Sequence, residues 1–182
     1  GSVVTWGAPG WGGTMEVSGT WNSVTENLQN NVVNISSTKQ AFAALKADGS
    51  VVTWGFGGGN SDDVSDKLSS NVVEIFASES AFAALKADGS IVSWGGENRS
   101  TSWSNNHRNT ITWFLNNDFK QIVSLNSEDA FVALANDGSI VKWSPNLENI
   151  IVTKLEQKFE KIFDSGKWAQ LEDGSVVKTN GT

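Results

Sequence analysis

One ten-residue segment, AFAALKADGS, occurs twice in this chain without a single change, at residues 41–50 and 81–90. A related copy, AFVALANDGSIVKWS, covers residues 130–144, and a shorter one, WAQLEDGSVVKTN, covers residues 168–180. The chain also begins with GSVVTWG, which is the second half of the same pattern. Repetition of this kind predicts a fold in which one supersecondary unit is used several times.

The length of the repeat narrows the choice of architecture. Glycines at the same place in successive copies are 48, 40, 49 and 36 residues apart, with a mean of about 43. A period of this length fits a four-stranded propeller blade better than a helical hairpin. We therefore expect a single all-β repeat domain over residues 1–182, a β-propeller of about four repeats. The approximate repeats are 1–48, 49–88, 89–137 and 138–182.

Each repeat contains the local signals of a β-hairpin. An Asp-Gly pair, such as Asp48-Gly49, lies between two apolar runs and favours a type I′ turn, which needs positive φ at both central residues. A short apolar segment before each hairpin predicts one more strand. Apolar residues four apart before that segment, such as Val64 and Leu68, predict one short helical turn per repeat.

The motif AFAALKADGSVVTWG, followed by a glycine-rich stretch, resembles the regulator of chromosome condensation repeat family. Its sequence is most similar to that of bacterial members. Members are usually seven-bladed propellers that act as rigid scaffolds for proteins, so the resemblance implies a protein partner. This chain holds about four repeats, so it forms either a small closed ring or a piece of a larger ring. We expect residues 1–7 to complete the sheet beside the C-terminal hairpin and close a compact monomer rather than a homo-oligomer; an open arc is the alternative.

Composition excludes several classes of function. The chain has no cysteine, which removes disulfides, thiol nucleophiles and thiolate metal sites, and a single histidine, which removes paired-histidine metal sites. A formal net charge of −7 argues against binding to nucleic acid, and no apolar run is long enough to insert into a membrane. Neither a nucleophile elbow nor an evident acid pair is present, so we expect no catalysis and no cofactor.

The repeat also sorts the nine tryptophans. A tryptophan at a repeated position is expected to fill the core between blades, whereas a tryptophan outside the repeated pattern, among Gly, Ser, Thr and Asn, suits a binding contact. The expected contact residues are Trp11, Trp21 and Trp103; the alternative is that each folds back as a lid on its own blade. The expected core residues at repeated positions are Trp6, Trp54, Trp94, Trp143 and Trp168, the last of which is aligned with Phe42, Phe82 and Phe131. Trp113, in the apolar segment ITWFL, is expected in the core as well.

The segment GENRSTSWSNNHRNT, residues 96–110, is the candidate for a binding loop. It holds both arginines of the chain, Arg99 and Arg108, together with Trp103 and the single histidine, His107. Rigid aromatic area, forked donors and small polar side chains are typical of recognition loops. The alternative is an ordinary polar insertion.

A second linker gathers Asp62, Asp63 and Asp66 near Asn60. Such carboxylates can bind calcium, although the spacing does not match an EF-hand. The alternative is a serine N-cap with acidic residues in the first turn of a helix.

The sequence thus indicates a non-catalytic protein-interaction module that binds through loops 8–22 and 96–110. A lectin-like glycan-binding propeller is the alternative. We expect a secreted or cell-surface bacterial protein, in keeping with the absent cysteines, the acidic charge and the polar loops.

Overall fold

The computed structural model describes residues 1–7, 24–56, 59–96, 118–125, 129–144, 151–153, 158–163 and 168–178. Within these ranges the chain is almost entirely β, as each repeated apolar run forms a strand. The strands are β1 (Val32–Ser37), β2 (Ala41–Lys46), β3 (Val51–Gly55), β4 (Val72–Ala77), β5 (Ala81–Lys86), β6 (Ile91–Gly95), β7 (Phe119–Leu125), β8 (Ala130–Ala135), β9 (Ile140–Trp143), β10 (Ile151–Thr153), β11 (Phe159–Ile162), β12 (Trp168–Leu171) and β13 (Val176–Lys178).

These strands form four antiparallel sheets, which are the blades of the predicted β-propeller. The first sheet has the order β1-β2-β3, the second β4-β5-β6 and the fourth β11-β12-β13, while the third also includes β10 beside β9. The first strands of successive sheets lie next to one another. The side-chain amide of Gln121 joins two of them, since it donates to the carbonyl of Ile162 at 2.6 Å and accepts from its N–H at 2.8 Å.

The short helical turns predicted before the first strands are present in the first two repeats. The helical turn α1 spans Val24–Asn27, and a 3-10 turn, Asp62–Val64, leads directly into α2, Ser65–Leu68. Val64 and Leu68 are buried, as their four-residue spacing implies. The corresponding turn expected near residues 153–159 lies largely outside the described residues. No helix in the described part of the chain has the length and apolarity needed to cross a membrane.

The Asp-Gly hairpins are where predicted, but the predicted turn type is wrong. Gly49 has φ +78°, whereas Asp48 does not have positive φ. Lys46 N–H donates to the carbonyl of Ser50, and Gly49 N–H donates to the carbonyl of Lys46, so three residues rather than two form the loop. This is a type I turn followed by a glycine in the left-handed region, the bulged form of the hairpin. Asp therefore keeps an ordinary backbone conformation and only Gly needs positive φ.

Successive sheets pack face to face in one repeated manner. We call the face that carries Ala43 and Leu45 in the first sheet its forward face, and the face that carries Phe42 and Trp54 its rear face, because alternate side chains of a strand point to opposite sides. Forward faces pack against the rear face of the next sheet in three hydrophobic clusters. On the rear faces, the Phe–Trp ring pairs Phe42–Trp54, Phe82–Trp94 and Phe131–Trp143 stack at 5.3, 5.2 and 5.4 Å.

The N-terminal residues pack on the rear face of the first sheet. Val3 N–H donates to the carbonyl of Leu28 at 2.9 Å, and the Val3 side chain packs on the cluster that contains Leu28 and Trp54. The fourth sheet consists of β11, β12 and β13 without these residues. Among the described residues, the N-terminal segment bonds to Leu28 and Val32, so its predicted pairing with the C-terminal hairpin is not observed in those ranges.

Two of the five tryptophans predicted to be core residues at repeated positions are exposed, and Trp113 lies outside the described residues. Trp54, Trp94 and Trp143 are buried, but Trp6 is 81% and Trp168 is 47% exposed. Trp6 belongs to the N-terminal segment, on the side turned away from the first sheet. Trp168 pairs with Lys178, as Ala43 pairs with Thr53, so it occupies an alanine position of the forward face rather than the phenylalanine position of the rear face. A shift of one residue along a strand moves a side chain to the opposite face.

Candidate functional site

The two ends of the sheets differ in what they carry. The Asp-Gly turns lie at one end, which we call the turn end. The opposite end, the loop end, holds the loops between first and second strands and the C-terminal ends of the third strands, since Ser37 pairs with Phe42 and Ala41 pairs with Gly55. The segments that do not belong to the repeat follow the third strands. They therefore begin at the loop end of the blades.

At the turn end, the repeated Ser and Asp form a closed local network. In the first repeat the Ser50 hydroxyl donates to the Asp48 carboxylate at 2.6 Å, and the Ser50 N–H donates to the same oxygen at 2.9 Å. Donation from the serine hydroxyl, followed by the backbone N–H, lowers the pKa of Asp48, and equivalent bonds lower the pKa values of Asp88 and Asp173. Because these carboxylates accept hydrogen bonds within their own turns, the network stabilises the hairpin turn.

At the loop end, hydrogen bonds join the loops of neighbouring sheets. The Asp129 carboxylate accepts from the Ser78 hydroxyl at 2.6 Å, from the Ser80 N–H at 2.9 Å and from the Ser80 hydroxyl. Asp129 has φ +46°, which an aspartate tolerates better than most residues. These contacts fix the second sheet to the third at their loop ends and make this part of the surface rigid.

The first and second sheets are joined at the same end by Lys39 and Glu79. Their side chains form an ion pair, and the Lys39 N–H donates to the carbonyl of Glu79 at 3.1 Å. Both side chains are largely accessible to solvent, so the pair contributes little to stability but places one charge of each sign on the surface.

Phe56 is an exposed aromatic residue of this end. Its N–H donates to the carbonyl of Gln40 at 2.8 Å, which holds the residue directly after β3, while the side chain is 67% exposed. Gln40 follows Lys39, so this bond holds Phe56 at the same end as the Lys39–Glu79 ion pair. An exposed large ring suits a binding contact, since aromatic residues lose little side-chain entropy on binding. The sequence analysis missed Phe56. The available signal was its place immediately after Trp-Gly, where the two other Trp-Gly copies carry Ala8 and Gly96.

The residues that the sequence nominates for binding lie outside the described ranges. They are Trp11, Trp21, Arg99, Trp103, His107 and Arg108. The described residues that precede the segments 8–23 and 97–117 lie at the loop end, whereas Asp118, which follows 97–117, lies at the turn end beside Gly89. The segment 97–117 follows Gly96, whose N–H donates to the carbonyl of Ser80 at the loop end, and the segment 8–23 follows Gly7, the counterpart of Gly55.

The carboxylates considered for calcium do not form a metal site among the residues that the structure describes. Asp62, Asp63 and Asp66 are exposed, and no group of three metal-ligating side chains is close enough together in those ranges. The alternative of a serine N-cap is not observed either: Ser61 makes no capping bond, and its hydroxyl lies 2.9 Å from that of Thr53. The side chain of Asn60 instead accepts from the Asp62 N–H at 2.9 Å.

Comparison with known proteins finds similarity at the level of the fold. No family model and no curated protein matches the chain. Human WBSCR16 is similar at 16% identity and a TM-score of 0.48, over 80% of this chain and 46% of that one. Yeast RCC1 (Prp20), solved bound to Kap60, is similar at 15% identity and a TM-score of 0.48, over 80% of this chain and 42% of that one. The designed protein Ika8 is similar at 15% identity and a TM-score of 0.44, over 81% of this chain and 45% of that one.

This chain therefore spans less than half the length of these structures. Proteins of the regulator of chromosome condensation type are among the structures that it resembles, as its repeat motif predicts. At these identities the resemblance concerns the fold.

Proposed function

We propose that this propeller is a non-catalytic scaffold that binds a protein through its loop end. The observation that carries the proposal is the exposed ring of Phe56 on a surface where hydrogen bonds and an ion pair hold neighbouring sheets together. A rigid surface loses little conformational entropy on binding, so more of the contact energy remains as affinity.

The non-repeated loops extend this proposal. Segments 8–23 and 97–117 follow described residues of the same end, and they contain the tryptophans, arginines and histidine that the repeat does not require. The side chains of these loops differ from repeat to repeat. This difference favours one asymmetric binding surface over a set of similar pockets. We therefore assign the partner to the protein class, with a glycan as the alternative outcome of the test. The yeast protein named above binds Kap60 in its solved structure; for the present chain, protein binding rests on its own surface.

The proposal includes a secreted or cell-surface location. The polar, acidic and cysteine-free composition supports it. Labelling of intact cells with a reagent that does not cross membranes, followed by detection of this chain, tests the location separately from the binding.

The test of binding compares variants of the two ends of the sheets. The wild-type chain is used to capture proteins from host and bacterial lysates and is applied to a glycan array in parallel. For a captured protein, Phe56→Ala, Arg99→Ala and Trp103→Ala should each weaken binding by about 1–4 kcal/mol if they are anchors. Lys46→Ala, next to an Asp-Gly turn, is the control and should bind as the wild type does.

Two results would overturn the proposal. One is a captured protein whose affinity is unchanged by all three loop-end substitutions. The other is specific binding on the glycan array with no specific protein capture, which would favour the lectin-like alternative. Circular dichroism of each variant shows whether lost binding reflects lost structure.

A further inference from the structure

The indole N–H of Trp94 is buried between the first and second sheets without an acceptor. Trp94 is 3% exposed, and its Nε1 has no hydrogen-bond partner among the residues that the structure describes. At the next junction, between the second and third sheets, Trp143 donates from Nε1 to the hydroxyl of Ser93 at 3.4 Å. That hydrogen bond is long, but it gives the buried indole of Trp143 an acceptor. A buried donor without an acceptor is costly, so the two junctions differ in a way that affects stability.

The hydroxyl at the place of Ser93 in the first sheet belongs to Thr53. Thr53 pairs with Ala43 in the first sheet as Ser93 pairs with Ala83 in the second. Residues paired across two strands point to the same side of a sheet, so both hydroxyls lie on forward faces. The forward face of the first sheet packs against Trp94, which shares a cluster with Ala43. Thr53 is therefore the residue that the repeat places to accept from the Trp94 indole.

The linker after β3 uses the Thr53 hydroxyl instead. This hydroxyl donates to the carbonyl of Gly59 at 2.7 Å and lies 2.9 Å from the hydroxyl of Ser61. Since its single hydrogen goes to Gly59, Ser61 is the donor in the second contact. Ser93, in contrast, donates to the carbonyl of Phe82 within its own sheet, at 2.9 Å. The contacts with the linker thus distinguish Thr53 from its counterpart in the next repeat.

Gly59 allows the linker to lie directly on β3. A Cβ at Gly59 would lie 2.6 Å from the carbonyl carbon of Trp54 and 2.7 Å from the nitrogen of Gly55, and closer still to the Gly55 carbonyl oxygen. These are backbone atoms of a paired strand, so they cannot move aside as the end of a flexible side chain can. A residue larger than glycine at this place would therefore displace the linker from β3.

We propose that residues 59–61 form a latch with two positions, which differ in the partner of the Thr53 hydroxyl. In the latched position, which the structure describes, the linker lies on β3 and Thr53 bonds to Gly59 and Ser61. In the released position, water solvates the freed groups of the linker and Thr53 accepts from the indole N–H of Trp94. The latched position leaves a buried donor unsatisfied and the released position loses the linker contacts, so each state has a cost that the other lacks.

The latch acts on the chain that carries the exposed ring of Phe56. In the latched position both sides of Phe56 are fixed, because its N–H bonds to the carbonyl of Gln40 and residues 59–61 lie on β3. Release frees the second of these attachments, so a partner that binds the ring favours the latched position. This consequence rests on the proposed function, whereas the latch is a property of the free chain and is tested there.

The test measures the indole N–H signals of the free chain by NMR spectroscopy. Trp94 and Trp143 are a matched pair, because their rings stack on Phe82 and Phe131 at 5.2 and 5.4 Å. A hydrogen bond moves the signal of an N–H proton downfield, so the Trp143 signal should lie downfield of the Trp94 signal. Ser93→Ala is the control for this reading and should move chiefly the Trp143 signal, upfield.

Gly59→Ala displaces the linker, so it should move the Trp94 signal downfield, towards that of Trp143, and leave the Trp143 signal in place. Combination of Gly59→Ala with Thr53→Val should abolish this shift, since valine has the shape of threonine but no hydroxyl. Ser61→Ala removes one contact of the latch and should move the Trp94 signal in the same direction by a smaller amount. If Gly59→Ala fails to fold, Ser61→Ala with and without Thr53→Val provides the same comparison.

An unchanged Trp94 signal in the linker variants would overturn the proposal, and this is the result expected if water already accepts from the indole. A downfield shift that persists in the Thr53→Val background would also overturn it, because the acceptor would then be another group. Capture of a protein by the loop end is measured separately, so failure of the latch and failure of the proposed function remain distinguishable.

Discussion

The carbonyl oxygen of Gly1 accepts a hydrogen bond from the N–H of Val32 at 3.0 Å. Val32 begins the first strand of the first sheet, and the same bond joins Gly49 to Val72 and Gly89 to Phe119 in later repeats. Gly1 therefore holds the place that the turn glycines Gly49 and Gly89 hold in later repeats. Because this place on the first sheet is filled, the C-terminal hairpin, which carries the same motif, does not occupy it.

The first prediction compares two tryptophans of the same repeat position. Trp94→Ala should lower the free energy of unfolding by about 3–5 kcal/mol, because it opens a cavity between the first and second sheets. Trp6→Ala should change it by less than about 0.5 kcal/mol, since the ring is exposed. Chemical denaturation at a low protein concentration measures both. Equal losses for the two variants would show that Trp6 is covered within the single chain.

The second prediction compares two turn glycines. A Cβ at Gly89 would lie 2.8 Å from the Asp118 carboxylate and 2.9 Å from its Cα, and φ is +77°. Gly89→Ala should therefore destabilise by more than the roughly 1–2 kcal/mol that positive φ alone costs an alanine. At Gly174 φ is +83°, but the nearest atom to such a Cβ is 3.9 Å away.

Gly174→Ala is thus the control that isolates the cost of backbone conformation. Thermal unfolding should rank the two variants with Gly89→Ala clearly the less stable. The reverse order would contradict the close approach of the Gly89 turn to Asp118 in the next repeat.

The third prediction concerns the stability of the fold at acidic pH. The pKa values of Asp48, Asp88 and Asp173 lie below their ordinary value of 3.8 in the folded chain, chiefly through serine hydroxyls. A carboxylate with a lowered pKa stabilises the fold above its unfolded value, and this stabilisation is lost as the pH falls through the folded value. Stability should therefore be insensitive to these groups near neutral pH and decrease below about pH 3.8.

Ser50→Ala tests this prediction at one turn. Removal of the hydroxyl should raise the pKa of Asp48 towards 3.8 and leave that of Asp88 unchanged, as measured by NMR titration of the side-chain carboxyl carbons. An unchanged Asp48 titration would mean that the hydroxyl does not hold the carboxylate in solution.

The fourth prediction separates the two sides of the N-terminal segment. Val3 packs on the cluster of the first sheet, so Val3→Ser should destabilise it by about 1 kcal/mol. Val4 is exposed, and Val4→Ser should leave the stability of the single chain unchanged. Hydrogen exchange of the β1 amides reports on this sheet alone. Similar exchange in both variants would show that residues 1–7 do not stabilise it.

Some parts of the fold could be predicted because they depend on local sequence. The Asp-Gly pair marks each hairpin wherever it occurs, and the apolar runs around it are strands in all four sheets. The detailed turn was predicted incorrectly, because Asp-Gly is compatible with a two-residue and a three-residue loop and the pairing of Lys46 with Ser50 selects the latter. The binding residues nominated from the non-repeated loops remain predictions.

The sequence by itself determined the repeat, its period and the residues that can form a blade, since these follow from local spacing and from the recurrence of one motif. Only the tertiary structure decided which copies of a repeated residue are buried. Trp94 and Trp6 share one motif, yet a neighbouring sheet covers the first, whereas no sheet in the described ranges covers the second. Pairing of Trp168 with Lys178 likewise decides which face carries its ring. Burial in a repeat protein depends on the neighbour as well as on the residue, and a residue's own motif does not encode whether that neighbour is present.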